Sequence, residues 1–229
     1  MKQTIKKSTL DFIKDLEKNN QRDWFQENKP RYEAAKADFL ELVENIMMQA
    51  ESFEPALKGQ QAKDTMFRIY RDVRFSNDKR PYKDHLCAYL ADGGRKTINP
   101  GYYLHIKPNN QSFLGCGLWF PPPAELKAVR QEIDYNYEEL KGILEAPEFK
   151  KYYKEITGDK LKTNPKGYDA ENPAIDLLRH KSWNVSYAFT DEMVLSENFA
   201  DTVVDLMKTV KPMIDFFMRP LQDLAVAKE

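Results

Sequence analysis

Two cysteines, three histidines and nine glycines in 229 residues rule out several common chemistries. Cys87 and Cys116 cannot form the disulfide framework of a small secreted scaffold. With so few histidines, and with neither Cys-x-x-Cys nor His-Glu-x-x-His, no metal ligand set is assigned. The sparse glycines form no Gly-x-Ser-x-Gly, Gly-x-Gly-x-x-Gly or Gly-x-x-x-x-Gly-Lys-Ser/Thr, so no cofactor can be named. No apolar run approaches the roughly 20 residues that span a bilayer. The basic Met1–Thr9 stretch leads into an amphipathic helix rather than an apolar signal core. The expected setting is cytoplasmic, with no membrane partner. A formal net charge of −1, from 35 bases against 36 acids, argues against a dedicated nucleic-acid protein. Oligomeric state leaves no trace in the sequence.

What is present is a chain long enough, and apolar enough at 41%, to bury a full core. No repeat or low-complexity linker divides it, so one domain is expected. Ser8 or Thr9 is placed to cap a first helix ending at Asn19-Asn20. A short helix over 22–28 carries Trp24 and Phe25. Tyr32, Ala35, Phe39, Leu42, Val43, Ile46 and Met47 then mark a long amphipathic helix. Residues 8–52 are thus helical. Between about 64 and 120 the period falls to two, with strands expected over 65–70, 84–91, 102–108 and 112–119, separated by Asp92-Gly93-Gly94 and Pro108-Asn109-Asn110. After Pro121-Pro122-Pro123 helical spacing returns over 123–218, with one added strand at 185–189 and a helix from Phe199 to Phe217 kinked or interrupted at Pro212. Helices, then strands, then helices indicate an α+β fold, a central antiparallel sheet of about four to six strands packed by N- and C-terminal helices.

Alternation sorts the strands into two faces. Phe67, Ile69, Leu86, Ala88, Leu90, Leu104, Ile106, Leu114, Cys116 and Leu118 form an apolar set expected against helices. Arg68, Tyr70, His85, Cys87, Tyr89, Tyr103, His105, Lys107, Phe113, Gly115, Gly117 and Trp119 form a mixed set without a carboxylate. Rings with polar tips and two imidazoles suit the floor of a ligand site better than an ordinary wet face. Gly115 and Gly117 suit close approach by a ligand or, alternatively, by packed protein.

Beside this face runs Arg68 to His85, with six Arg or Lys against three Asp, a local balance of +3. Arginine forks match phosphate or carboxylate, so Arg68, Arg71, Arg74, Lys79 and Lys83 are candidate anion contacts. The competing structural reading pairs them with Asp72, Asp78 and Asp84. His85 or His105 is a candidate general base. Bases near Cys87 would lower its pKa. Arg179, His180 and Lys181 follow a short helix, where cations offset the dipole, and Lys181 is a candidate second anion contact.

The run Arg68-x-x-Arg71-Asp72-x-Arg74-Phe75-x-x-Asp78-Lys79-x-x-Tyr82 resembles the signature of the bacterial and fungal family called domain of unknown function 2461. Supporting blocks are Asn20-x-Arg22-x-Trp24-Phe25-x-x-Asn28-Lys29-x-x-Tyr32, Gly101-Tyr-Tyr-Leu-His105-Ile, and Lys166-Gly-Tyr168-Asp169 onward to Lys181-Ser-Trp183. Cys116 and Arg80 depart from that pattern. The resemblance implies a known domain type and brings no activity with it. The expected function is binding, with or without processing, of a small phosphorylated or carboxylated molecule by Arg68, Arg71, Arg74, Lys79, Lys83, Tyr103, His105, Trp119 and Lys181. A nucleic-acid module, with Tyr103 and Trp119 stacking on bases, is the alternative. A structural or interaction protein without a small ligand is the third.

Overall fold

A computed structural model describes residues 4–226; the first three residues of the basic Met1–Thr9 stretch lie outside them. The fold is α+β, with a four-stranded antiparallel sheet and ten α-helices among the described residues. Three helices come first: α1 (Lys7–Lys18), α2 (Arg22–Glu27) and α3 (Lys29–Ala50), followed by the single turn α4 (Ala62–Thr65). Strands β1 (Leu86–Ala91), β2 (Gly101–Ile106) and β3 (Ser112–Leu118) form a meander. Next come α5 (Pro123–Tyr135), α6 (Tyr137–Glu145), α7 (Pro147–Tyr152) and α8 (Ile175–Leu178). Strand β4 (Trp183–Phe189), α9 (Asp191–Leu195) and α10 (Phe199–Val226) close the chain. The strand order β1-β2-β3-β4 follows the sequence.

The backbone packs as two compact units. The first holds the described chain up to Leu90, with Tyr103–Leu114 and Ala188–Asp205; the second holds Ala91–Tyr102, Gly115–Tyr187 and the chain from Leu206.

In the first unit, the apolar stripe of α3 is buried from Ala35 to Ala50, and Phe12, Ile13 and Leu16 of α1 are buried too. Ser8 and Thr9 do not cap α1, whose N-cap is Lys6. Buried Asp38 of α3 does that work from outside, accepting from the Lys6 N–H at 2.9 Å and the Thr9 hydroxyl at 2.6 Å. The Asn20 side-chain amide donates to the Tyr82 carbonyl and accepts from the Tyr82 N–H, both at 3.0 Å, and Phe25 stacks on Tyr82 at 4.0 Å. This ties the basic segment to the α1–α2 turn. The β2–β3 hairpin turns at Asn109 (φ 65°) and Asn110 (φ 58°), the pair of positive φ angles a tight hairpin needs. Asp191 clamps both of their N–H groups at 2.9 Å.

The segment 65–70 is not a strand. Thr65 ends α4, and only isolated bridges, Met66 with Ala88 and Tyr70 with Tyr82, follow it. Met66, not Phe67, lies opposite Ala88 and is buried, so Phe67 turns to the mixed side. Two adjacent apolar residues give alternation no way to choose between registers, and a one-residue slip exchanges the faces. A bend at Ile69 returns that side chain to the interior.

In the second unit, Trp183 is fully buried and packs 5.8 Å from Phe217. The helical stretch that follows the triple proline breaks at Asn136, between α5 and α6. Helix α10 runs unbroken through Pro212 and on through Pro220 to Val226. Burial of Val210, Met213, Ile214, Phe216 and Phe217 outweighs the backbone bonds that the prolines remove. Gly117 is buried at φ 134°. A Cβ there would collide with the Trp183 carbonyl and come within 2.9 Å of Asn184 Cα. This glycine therefore makes room for the neighbouring strand rather than for a ligand.

Candidate functional site

The two-face sorting holds for the three strands of the meander, β1 to β3. Leu86, Ala88, Leu90, Leu104, Ile106, Leu114, Cys116 and Leu118 are all buried. His85, Tyr89, Tyr103, His105, Lys107, Phe113 and Gly115 on the other face are half-buried, with Cys87 fully buried among them. In the first unit this face is a continuous ring surface. The His85 and His105 rings stack at 4.2 Å, His105 and Phe113 at 4.7 Å, and Tyr103 lies 5.8 Å from Phe113. Phe67, displaced here by the register, meets Tyr103 edge-on at 6.1 Å.

Each imidazole is held at Nδ1. Asp84 Oδ1 lies 3.2 Å from that of His85, and the Tyr103 hydroxyl 3.4 Å from that of His105. Burial, the neighbouring His85 and the Lys107 charge push the His105 pKa down to about 3. The His85 pKa is also lowered, by burial first, against the pull of Asp84. Both rings are therefore neutral near pH 7. Lys107 Nζ bridges Asp84 at 3.0 Å and Glu17 of α1 at 3.1 Å. Burial opposes its charge, but these bonds outweigh burial and raise its pKa. Cys87 does not become a thiolate. Burial raises its pKa, and contact with Tyr103 and the Lys83 charge only partly offset this.

Most of the cationic groups of the basic segment have partners, although bases still outnumber acids. Arg71 pairs with Asp78 at 2.7 Å, Arg74 with Asp72 at 2.6 Å, and Arg80 with Asp78 at 2.8 Å. Lys79 Nζ donates to the Val73 carbonyl at 3.0 Å. Lys83 Nζ donates to the Arg68 carbonyl at 3.0 Å and lies 5.2 Å from the Phe67 ring centroid. The exposed Arg68 guanidinium has neither a hydrogen bond nor an ion pair among the described residues.

The structure thus gathers His85, His105, Tyr103 and Lys83 around one surface, with Arg68 next in chain to Phe67. Arg71, Arg74 and Lys79 lie in the adjoining loop. Trp119 and Lys181 belong to the second unit. Trp119 is 68% exposed and meets Phe120 edge-on at 5.0 Å. Lys181 is half-buried and bonds through its backbone to Asp159. Its neighbour Arg179 is held by Asn164 and Asp176, and His180 is buried with Nδ1 unpartnered. Sequence reading passed over Glu17, which is remote in the chain and gives no local signal. It assigned Phe67 to the wrong face. Asp84 was legible as a carboxylate beside His85. Among the described residues, no group of three or more His, Cys, Asp or Glu is placed to hold a metal ion, and no helix is long and apolar enough to cross a membrane.

A family model described as "Conserved hypothetical protein (DUF2461)" matches residues 8–216. The chain belongs to that family. Membership bears out the resemblance seen in the arginine and tryptophan blocks, and the matched span contains both the ring surface and the basic loop. No curated protein and no solved structure matches the chain. DUF2461 membership names a domain type without a reaction, so function rests on the geometry.

Proposed function

We propose that the mixed face of the first unit binds a small phosphorylated or carboxylated molecule. One observation carries this. Of the six bases between Arg68 and Lys83, Arg68 alone has a guanidinium or ammonium group without a partner among the described residues. An exposed cation with neither a hydrogen bond nor an ion pair supports anion binding. Lys83, anchored on the Arg68 carbonyl and over the Phe67 ring, supplies a second positive group. The rings of Tyr103, His105, His85 and Phe113 supply a floor for a planar part of the ligand. Arg71, Arg74 and Lys79 hold the loop rather than the ligand, and Trp119 and Lys181 are assigned no contact. If the bound molecule is processed, His85 is the residue for proton transfer, since Asp84 at Nδ1 leaves the lone pair of the neutral ring on Nε2.

The test is thermal unfolding with inorganic phosphate, pyrophosphate or citrate. The midpoint should rise with anion concentration, by about 2.7 kcal/mol of stabilisation at a hundredfold excess over Kd. Arg68→Gln should abolish the rise while leaving the anion-free midpoint unchanged. Absence of any anion effect in the parent protein refutes the site. Steeply salt-dependent binding of oligonucleotides without a phosphate effect would support a nucleic-acid surface instead.

A further inference from the structure

Among the arginines of the described residues, Arg22 and Arg68 alone have a guanidinium with neither a hydrogen bond nor an ion pair. Both are exposed, and both belong to the first unit. Arg22 opens α2, the end of a helix at which the backbone dipole disfavours a cation, so the helix does not account for it. Asp23 is next in the chain, but successive helix residues do not face each other, and it makes no ion pair with Arg22 among the described residues.

The two arginines are joined by one short stretch of surface. The Asn20 amide grips both backbone groups of Tyr82, which sets Arg22, two residues on, beside that tyrosine. Tyr82 lies opposite Tyr70 in an antiparallel bridge, flanked by bonds from the Arg71 N–H to Pro81 at 2.9 Å and from the Lys83 N–H to Ile69 at 2.8 Å. That pattern puts the two side chains on one face, and their rings lie 5.4 Å apart. Ile69 is buried between exposed Arg68 and exposed Tyr70, which leaves those two facing outward together. The order along this surface is therefore Arg22, Tyr82, Tyr70, Arg68. Burial raises the Tyr82 pKa, the Tyr70 phenol adds to this and the Arg22 charge opposes it, as neighbours in that order would. Tyr70 is 50% exposed, and its hydroxyl has no hydrogen-bond partner among the described residues. A free phenol donor thus stands between two open guanidiniums. Asp72, which feels the Arg68 charge, gives both of its oxygens to Arg74.

We propose that the ligand of the first unit carries two separated anionic groups, one held by Arg68 and the other by Arg22, with the Tyr70 hydroxyl donating to the stretch between them. This rests on the reading of Arg68 as an anion contact. Two guanidinium forks set apart by a pair of rings suit a bisphosphorylated or dicarboxylated molecule with a linker of several atoms, rather than charges on adjacent groups as in pyrophosphate.

Isothermal titration of the full chain with propyl phosphate, and with a series of alkanediol bisphosphates of increasing spacer length, tests this. Affinity in the series should pass through an optimum, where Kd is at least about tenfold below that of propyl phosphate, as one more charge-assisted contact gives. Arg22→Gln should remove that gain, so that the best bisphosphate binds like propyl phosphate. Arg22→Lys, which keeps the charge and loses the fork, should retain part of it. Because Arg22 is exposed and unpaired, either variant should unfold without ligand at the parent's midpoint. Arg68→Gln should abolish binding of both ligands. Bisphosphates that bind no tighter than propyl phosphate, a gain indifferent to spacer length, or an optimum that survives Arg22→Gln overturns this proposal and leaves the Arg68 site standing. If propyl phosphate does not bind the parent protein, the Arg68 reading falls and this proposal falls with it.

Discussion

Replacing His105 by Phe should make the protein less sensitive to mild acid. In the folded protein the His105 pKa lies at about 3, held down chiefly by burial between His85 and Phe113, with the His85 ring and Lys107 adding to the effect. In the unfolded chain it returns to about 6.5. Between those values the unfolded state binds a proton that the folded state refuses, so stability falls as pH drops through that window. At pH 5 the unfolded chain gains about 1.5 pH units of protonation free energy, or about 2 kcal/mol. The ring is only half-buried, and screening by solvent reduces the expected loss to about 1–2 kcal/mol relative to pH 7.5. Phe keeps the stack and removes the titration. Urea unfolding followed by circular dichroism at pH 7.5 and pH 5 reads the effect. The parent should lose stability on acidification, and His105→Phe should lose about 1–2 kcal/mol less. His85 and His180 titrate in both proteins, with pKa values lowered in the same sense, so they drop out of the difference. Equal losses in the two proteins would show that His105 is open to solvent and that the stacked face does not exclude it.

Asp38→Ala leaves the Lys6 N–H and the Thr9 hydroxyl without their acceptor, and should cost about 2–4 kcal/mol in urea unfolding. Gly117→Ala forces a side chain onto the Trp183 carbonyl at φ 134°, and should lower stability by about 3 kcal/mol or more. Cys87, with its pKa raised by burial, should alkylate with iodoacetamide at pH 7.5 far more slowly than a free cysteine, as mass spectrometry of the folded protein would show.

The local periods carried much of the fold. The stripe from Ala35 to Met47 is buried as one helix face, and the alternation Leu104-His105-Ile106 is buried, half-buried, buried. The two-face reading failed where periodicity is silent, at Met66-Phe67, whose adjacent apolar side chains fit either register. It also misjudged Gly117, because a glycine's neighbour in space is not written beside it in the chain. The basic cluster was legible as composition, but not which of its charges would be spent on partners.

The sequence by itself determined the helix faces, the hairpin at Asn109-Asn110 and the ring-bearing side of the sheet, because backbone geometry fixes where neighbouring side chains point. Tertiary structure alone decided that Glu17 and Asp84 share Lys107, that Asn20 pairs with Tyr82, that Asp38 serves α1, and that Arg68 stays open while Arg71 reaches Asp78. Charge pairing acts over a few ångströms of space and takes no account of distance along the chain, so the choice of partner is made only once the chain has folded.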